Sequence, residues 1–386
     1  MSNEYQVSLA PLEELSLPYA LDGSQGKNRS NDSSLLPAQH DMQAIELWLS
    51  RLDKESHTYR AYRREAERIL LWAIVDRRKA FSSLHTIDMS DYRRFLQDPK
   101  PAEQWIGSPK KKGHAEWRPF TGPLSERSTR YAETVLNALF SWLVDQHYLQ
   151  TNPMKGMPKL SRTKHQLDIN RSFSKSEWKL VKDYLSEKIL SSEQKAQIHY
   201  CRIHLILSIL YATGLRLHEL AKIVIGDIVK IERSGNTQYW LKVIGKGNKY
   251  REVPAPSTLI QIIDEIYFML TGESWRTVPK TLPLIPRIRG QSVSALKPLA
   301  IHKVLKAFFA EIAASLSETD VEASEKLKRA STHWLRHTHG THAVDMDIAL
   351  TVVRDNLGHS SIAITSQYVH ADKDARHSAI SEMLGN

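Results

Sequence analysis

The sequence is almost without cysteine: Cys201 is the only one in 386 residues. That excludes an intrachain disulfide and any zinc site assembled from cysteine pairs, and it suits a reducing compartment. No stretch approaches the roughly 18 apolar residues that a membrane-spanning helix needs. The opening MSNEYQVSLAPLEELS carries acids and lacks the basic-then-apolar order of a signal peptide, so the expectation is a cytoplasmic protein with no membrane partner. The clustered carboxylates of a metal-dependent nuclease are missing as well. What the chain has in excess is positive charge, 53 Lys and Arg against 43 Asp and Glu. Such a balance favours a polyanionic partner, either nucleic acid or an acidic membrane surface.

Residues 1–38 are rich in Ser, Asn, Asp and Gly and show no sustained periodicity. They read as a flexible arm, with one short docking segment around Leu12 to Leu17. Residues 39–151 turn helical. Ile45, Leu47, Trp48 and Leu52 recur at helical spacing, as do Ala66, Ile69, Leu70 and Ala73, and the stripe Tyr131, Val135, Leu136, Leu139, Phe140, Leu143 is the strongest of all. Arg60, Arg63, Arg64 and Arg68 share the second of these helices, where they either face phosphates or form a solvated surface. The loop 107–123 carries Lys110, Lys111 and Lys112, which are further candidates for phosphate contact. Residues 152–172, with Pro and Lys and little periodicity, read as an interdomain linker.

A second domain is expected over 173–386. Ser174 or Ser176 caps a helix, an apolar helix runs from about Ala196 to Ala212, and Gln238 to Pro254 alternates as a hairpin around Gly245-Lys246-Gly247-Asn248. The remainder is helical apart from a Pro-rich connection at 279–297. The fold class is therefore mostly α with a small antiparallel β-sheet.

Five short elements of this second domain carry chemistry. In ATGLRLHEL, Gly214 ends one helix and Arg216 starts the next, with Glu219 one turn on; a guanidinium there suits a phosphate. In GKGNKYREVP, Lys246 stands between glycines at a hairpin tip. In HWLRHTHGTH, Thr332 caps a helix that gathers His333, Arg336 and His337 within one turn. The spacing of His333 and His337 also fits a metal pair, but no carboxylate or Cys nearby completes it. In LGHSS, Gly358 ends a helix and leaves His359 at the junction, and Tyr368 follows nine residues later. Together these residue types suit phosphoryl transfer without a metal. Two Arg forks neutralise the charge that grows on a pentavalent phosphorus. A Tyr hydroxyl attacks and conserves the bond energy as a phosphotyrosine, while Lys and imidazole groups move protons.

The order Arg216, Lys246, His333-x-x-Arg336, Leu357-Gly358-His359, Tyr368 resembles the signature of the tyrosine recombinase (phage integrase) family. The flanking YATGLRLHEL, IGKGNKYREVP, HWLRHTHGTHAV and LGHSSIAITSQYVH read as the same family's motifs. The likeness is close over 172–375. It is looser over 40–150, where SERSTRYAETVLNALFSWL and Asn152-Pro153 resemble the family's helical core-binding domain.

The resemblance implies that Tyr368 attacks the scissile phosphate to give a 3′-phosphotyrosyl link and a free 5′-hydroxyl. It implies that Arg216 and Arg336 clamp the phosphate, that His333 and His359 assist proton handling and phosphate binding, that Lys246 is the general acid and that Glu219 supports the Arg216 region. His337 is expected to buttress its helix. No cofactor and no metal are implied. Partners would be double-stranded DNA with inverted-repeat core sites enclosed by a C-shaped two-domain clamp, a homotetramer on two sites, and accessory DNA-bending or directionality proteins, at work in the cytoplasm on the nucleoid. His339 departs from the family pattern, which often has Phe there. The tail after Tyr368 is expected to form a short amphipathic helix packing in cis or on a neighbouring subunit. Two rivals stand beside this reading: a type IB topoisomerase, with the same chemistry, and a non-catalytic DNA-binding protein of the same fold. An intact nucleophile, both Arg and Lys246 argue against the second.

Overall fold

A computed structural model describes residues 9–158, 171–245, 247–289 and 292–369. The chain divides into two compact units, Met1–Thr163 and Lys164–Asn386. It is mostly helical, as the sequence pattern implied, and the described residues hold two small antiparallel sheets where the pattern implied one. No helix among the described residues is long and apolar enough to cross a membrane.

The first unit is built from α1 (Asp41–Ser50), α2 (His57–Leu71), α3 (Thr86–Gln97), α4 (Ala102–Trp105) and α5 (Glu126–Asp145). Its core joins Ile45, Trp48, Ile69, Trp72, Phe81, Phe95, Trp105, Phe120, Leu136 and Phe140. The stripe on α5 is buried as expected except for Tyr131, which is 42% exposed; Thr129 and Ala132 complete the inward face instead. Arg68 is not a surface group. It is buried, donating to Glu65 and to the Pro119 carbonyl at 3.0 Å.

The expectation of a flexible arm is corrected for residues 9–38. Leu12 and Leu15 are buried in the helical core. Further along, the Asn28 N–H donates to the Ser82 carbonyl at 2.8 Å, and its side-chain amide donates to the Thr151 carbonyl at 2.9 Å. Side-chain-to-backbone bonds of this kind, such as Ser24 N–H to Asp22 Oδ1 at 2.7 Å, order a polar segment without any apolar period. The linker is also shorter than expected at both ends. Asn152 is buried and donates to Ser141 Oγ at 2.9 Å, and Met154 and Met157 pack on the first core. Phe173 belongs to the core of the second unit. Most of the expected linker, residues 159–170, lies outside the described residues.

The second unit begins with α6 (Lys175–Ser191), closed at its start by a capping box of Ser174 and Glu177. Next come α7 (Gln194–Thr213) and the short α8 (Leu217–Leu220). Strands β1 (Ile228–Arg233), β2 (Asn236–Ile244) and β3 (Tyr250–Ala255) form a meander in the order β1-β2-β3. The sequence pattern gave the β2–β3 hairpin and missed β1, a strand with no buried residue to create an alternation. After α9 (Ser257–Thr271), the Pro-rich connection holds a second hairpin, β4 (Pro286–Arg289) and β5 (Ser292–Ala295). Helices α10 (Pro298–Ser315), α11 (Val321–Arg329), α12 (Thr332–Val344), α13 (Leu350–Leu357) and α14 (Ile362–Thr365) complete it. Ser331, not Thr332, is the residue before α12. The helix capped by Ser361 is only the short α14, and Tyr368 lies just past it in a single 3-10 turn, Ser366–Tyr368. The C-terminal tail lies outside the described residues.

Candidate active site

Three helix ends and one turn meet in the second unit. Helix α7 stops at Gly214, whose φ of +63° closes the helix and whose missing Cβ would otherwise lie 2.6 Å from His339 and 2.7 Å from Leu357. The chain turns at once into α8, and Arg216 is the residue before its first turn. Glu219, on that turn, accepts the Arg216 backbone N–H at 2.8 Å and its guanidinium at 3.0 Å. Arg216 keeps 38% of its side chain exposed.

The same Glu219 is gripped by a second arginine that sequence reasoning missed. Arg251 donates through both arms of its fork to the two Glu219 oxygens, at 3.0 and 2.8 Å, and through Nε to the Asn356 carbonyl at 3.0 Å. Burial raises the Glu219 carboxyl, but its hydrogen bonds and the flanking Arg251 and Arg216 charges outweigh it and hold the group below the usual range. A signal for Arg251 existed. On β3 it is in phase with the buried Val253 and Ala255, and an inward-facing Arg requires a partner. Gly358, at φ +61°, leaves room for the Arg251 guanidinium, which a Cβ would approach at 3.1 Å.

Helix α12 carries Arg336 and its histidines. Arg336 is buried and donates to the Gly214 carbonyl at 2.6 Å and to the Leu357 carbonyl. Two of its five N–H donors thus fix the plane of the fork and leave others for a ligand. Burial, then the nearby Arg216 charge, lower its pKa to about 10. His333 at the start of the helix keeps part of its surface exposed, and its partial loss of solvent, then the Arg336 charge, pull its pKa below the ordinary value. The His333 and His337 rings pack edge to face with centroids 4.5 Å apart.

Tyr368 is 4% exposed. Burial raises its pKa, while Arg336 and Arg216 pull the other way. Its hydroxyl is hydrogen-bonded to His337 Nδ1 at 3.1 Å. Its ring lies parallel to His359, centroids 6.1 Å apart, and His359 Nδ1 is bonded to Thr365 Oγ1 at 3.0 Å. Gly340 is the seat of the phenol: a Cβ there would meet three ring carbons at 2.8–3.0 Å. Burial pushes both His337 and His359 down to about 4, helped at His359 by Arg336, Arg216 and Arg251.

Of the residues expected at the site, Arg216 pairs with Glu219, Tyr368 is bonded to His337 and lies against His359, and His333 packs on His337, while the Arg336 and Arg216 charges act on Tyr368. Lys246 lies outside the described residues. Its hairpin is described on both sides, with Ile244 opposite Tyr250 and the Gly245 N–H donating to the Lys249 carbonyl at 2.8 Å.

The basic candidates of the first unit form a separate feature. Arg60, Arg63, Arg64 and Lys112 line one cleft of about 300 Å³ with Tyr59 and with Arg118, which the sequence reading missed. Arg63 is paired with Glu13, and Lys112 with Glu67 at 2.6 Å. Lys110 pairs with Glu116 at 3.0 Å, and Lys111 is exposed.

Comparison with known proteins agrees with this geometry. Residues 186–375 match the model of the phage integrase family. The chain is 27% identical over 301 residues to the tyrosine recombinase XerC of Myxococcus xanthus, covering 74% of this chain and 87% of that protein. It is 32% identical over 188 residues to the tyrosine recombinase XerD of Staphylococcus saprophyticus, covering 48% of this chain and 55% of that protein. In fold it is similar to the XerH site-specific recombinase bound to a palindromic difH substrate, with a TM-score of 0.59, 21% identity and coverage of 89% and 85%. It is also similar to the Tn1549 transposon integrase in complex with transposon right end DNA, with a TM-score of 0.54, 16% identity and coverage of 89% and 98%. Residues 186–375 thus carry a match to the phage integrase family, and over a longer stretch the chain is similar to tyrosine recombinases.

Proposed function

We propose that Tyr368 is the nucleophile of a site-specific strand exchange, attacking the scissile phosphate to leave a 3′-phosphotyrosyl link and a free 5′-hydroxyl. Arg216 and Arg336 bind the non-bridging oxygens, where their forks offset the charge that grows in the transition state. Arg336 is pre-set by its two carbonyl bonds, so little reorganisation accompanies phosphate binding. Glu219 orients Arg216 and, through Arg251, ties the β3 strand to the end of α13. An imidazole of His333 or His359 takes the proton that Tyr368 loses, Lys246 gives one to the departing 5′ oxygen, and both histidines assist at the phosphate. The observation that carries the reading is a buried Tyr368 whose hydroxyl is bonded to His337, whose ring lies against His359, and which feels the charges of both Arg336 and Arg216.

Double-stranded DNA is the partner. The cleft of Arg60, Arg63, Arg64 and Lys112, with Lys110 and Lys111 close by in sequence, offers phosphate contacts on the first unit. Inverted-repeat core sites, a homotetramer on two sites, accessory bending or directionality proteins, and a role in a mobile element within the cytoplasm are the family-like remainder of the proposal. A type IB topoisomerase would share the chemistry, but the helical first unit and the nine-residue spacing from His359 to Tyr368 favour recombination.

Covalent capture tests this. Protein is mixed with sheared DNA of its source in EDTA, denatured, and assayed for linked DNA ends. Ends mapping to one inverted repeat, with exchange between two copies of it, support site-specific recombination. Adducts scattered without sequence preference, with relaxation of supercoils and no exchange, would favour the topoisomerase instead.

A further inference from the structure

His337 has no part in the phosphate chemistry above, yet it is the side chain in contact with the reacting atom. Its Nδ1 lies 3.1 Å from Tyr368 Oη, and both residues are buried, at 7% and 4% exposure. The pair is fixed from several sides. Gly340, one turn further along α12, admits the hydroxyl end of the phenol against bare backbone. His333 packs edge to face on His337, and His359 covers the phenol from a parallel plane. Thr365, itself buried, holds His359 by its ring nitrogen.

The direction of the bond follows from the two groups. A bare imidazole nitrogen is a far better acceptor than a phenol oxygen, and a phenol is the more acidic donor. Tyr368 therefore donates and Nδ1 accepts, which puts the imidazole proton on Nε2. The charged and titratable groups acting on His337 are His333, Arg336, Arg171, His359 and Tyr368. None of them is a carboxylate that would favour an imidazolium, so the acceptor nitrogen stays bare.

We propose that His337 is a positioning residue for the nucleophile, accepting the Tyr368 hydroxyl proton in a hydrogen bond and so turning the oxygen lone pairs toward the phosphate held by Arg216 and Arg336. This rests on Tyr368 being the nucleophile. A nucleophile held about 1 Å from its productive position reacts roughly 100-fold more slowly, so loss of the anchor should appear in the cleavage step and leave DNA binding alone. An asparagine can stand in for it, because its side-chain oxygen offers an acceptor near the position of Nδ1. A residue acting as a base cannot be replaced in that way, since an amide does not titrate.

The test compares His337→Asn and His337→Leu in single-turnover cleavage of a nicked duplex carrying the captured repeat, from mildly acid to alkaline pH. The expected result is a loss of about 100-fold for His337→Leu, recovery of most of that rate in His337→Asn with the shape of the pH profile unchanged, and unaltered duplex binding by both. A His337→Leu variant that cleaves at the wild-type rate overturns the proposal. So does a His337→Asn variant as slow as His337→Leu whose deficit shrinks as pH rises, because that is a base and not an anchor. An independent readout uses the DNA-free protein labelled with nitrogen-15 at histidine. His337 should carry its proton on Nε2, with an Nδ1 resonance that moves in Tyr368→Phe; a proton on Nδ1 would contradict the assignment. A wild type that forms no adduct, or a Tyr368→Phe variant that forms one, strikes the nucleophile reading itself.

Discussion

In the first unit Arg63 and Lys112 stand at the rim of a cleft beside carboxylates of their own chain, Glu13 and Glu67, and Arg64 is half exposed beside Glu65. In the second unit Arg336 is buried, Arg251 is partly buried, both are bound to backbone carbonyls, and Arg251 shares the buried Glu219 with Arg216. The first arrangement suits contacts that only hold a polyanion. The Arg63 pair with the exposed Glu13 separates at little cost when a phosphate replaces the carboxylate. The second suits a group that must already be in place as charge develops, because a guanidinium whose plane is already fixed by hydrogen bonds has little freedom to lose. Mutations should therefore act on affinity in the first unit and on stability or chemistry in the second.

Glu219→Gln should break that contrast most severely. It leaves the partly buried Arg251 without its charge partner, a change that costs up to about 3–5 kcal/mol when such a pair is fully buried, read as a fall in the denaturation midpoint of the second unit. Next in size is Gly340→Ala. The new methyl forces the phenol from its seat, and cleavage should slow by about 100-fold while duplex affinity holds. Wild-type cleavage by this variant would mean that the phenol leaves its seat before it reacts.

Acid should separate the two units. His333, His337, His339, His342 and His359 all have folded pKa values below the ordinary 6.5, chiefly through burial. The unfolded chain binds protons there first, so the second unit loses stability as pH falls from about 6.5 toward 4. Buried Asp41 in the first unit behaves oppositely. Burial raises its carboxyl to about 6 against the pull of Ser82 and Tyr148, and that stability is present in full below about 3.8 and lost as pH rises through 6. Calorimetry from pH 7 to 5 should show the midpoint of the second unit dropping by about 2–4 °C for each kcal/mol lost, while that of the first holds or rises.

The smallest effect belongs to the rim. Arg63→Ala should weaken duplex binding by less than about tenfold and reduce the log-log salt slope by about 1. Glu13→Gln should tighten binding slightly, since it removes the carboxylate that competes with phosphate for Arg63.

The same contrast explains what the sequence could tell. The motifs of the candidate site are legible because their residues lie close together along the chain: Arg216 with Glu219, His333 with Arg336, Gly358 with His359. Arg251, Gly340 and the link from His337 to Tyr368 depend on meetings across more than 25 residues of chain or on the space around a ring, which no spacing rule encodes. The docking of residues 9–38 was hidden for another reason. Asn28 and Asp22 order that segment through side-chain bonds to backbone, and those leave a composition indistinguishable from a mobile arm. Helices with a buried stripe were read correctly, and β1, which buries nothing fully, was not.

The most direct measurement is the identity of the residue that carries DNA. Adducts trapped on nicked duplex would be digested with protease and nuclease, and the peptide bearing a residual nucleotide sequenced by mass spectrometry. The nucleotide should sit on Tyr368, attached through a 3′ phosphate, with no adduct in Tyr368→Phe. A nucleotide on any other side chain, or an adduct that survives Tyr368→Phe, would contradict the account at its centre.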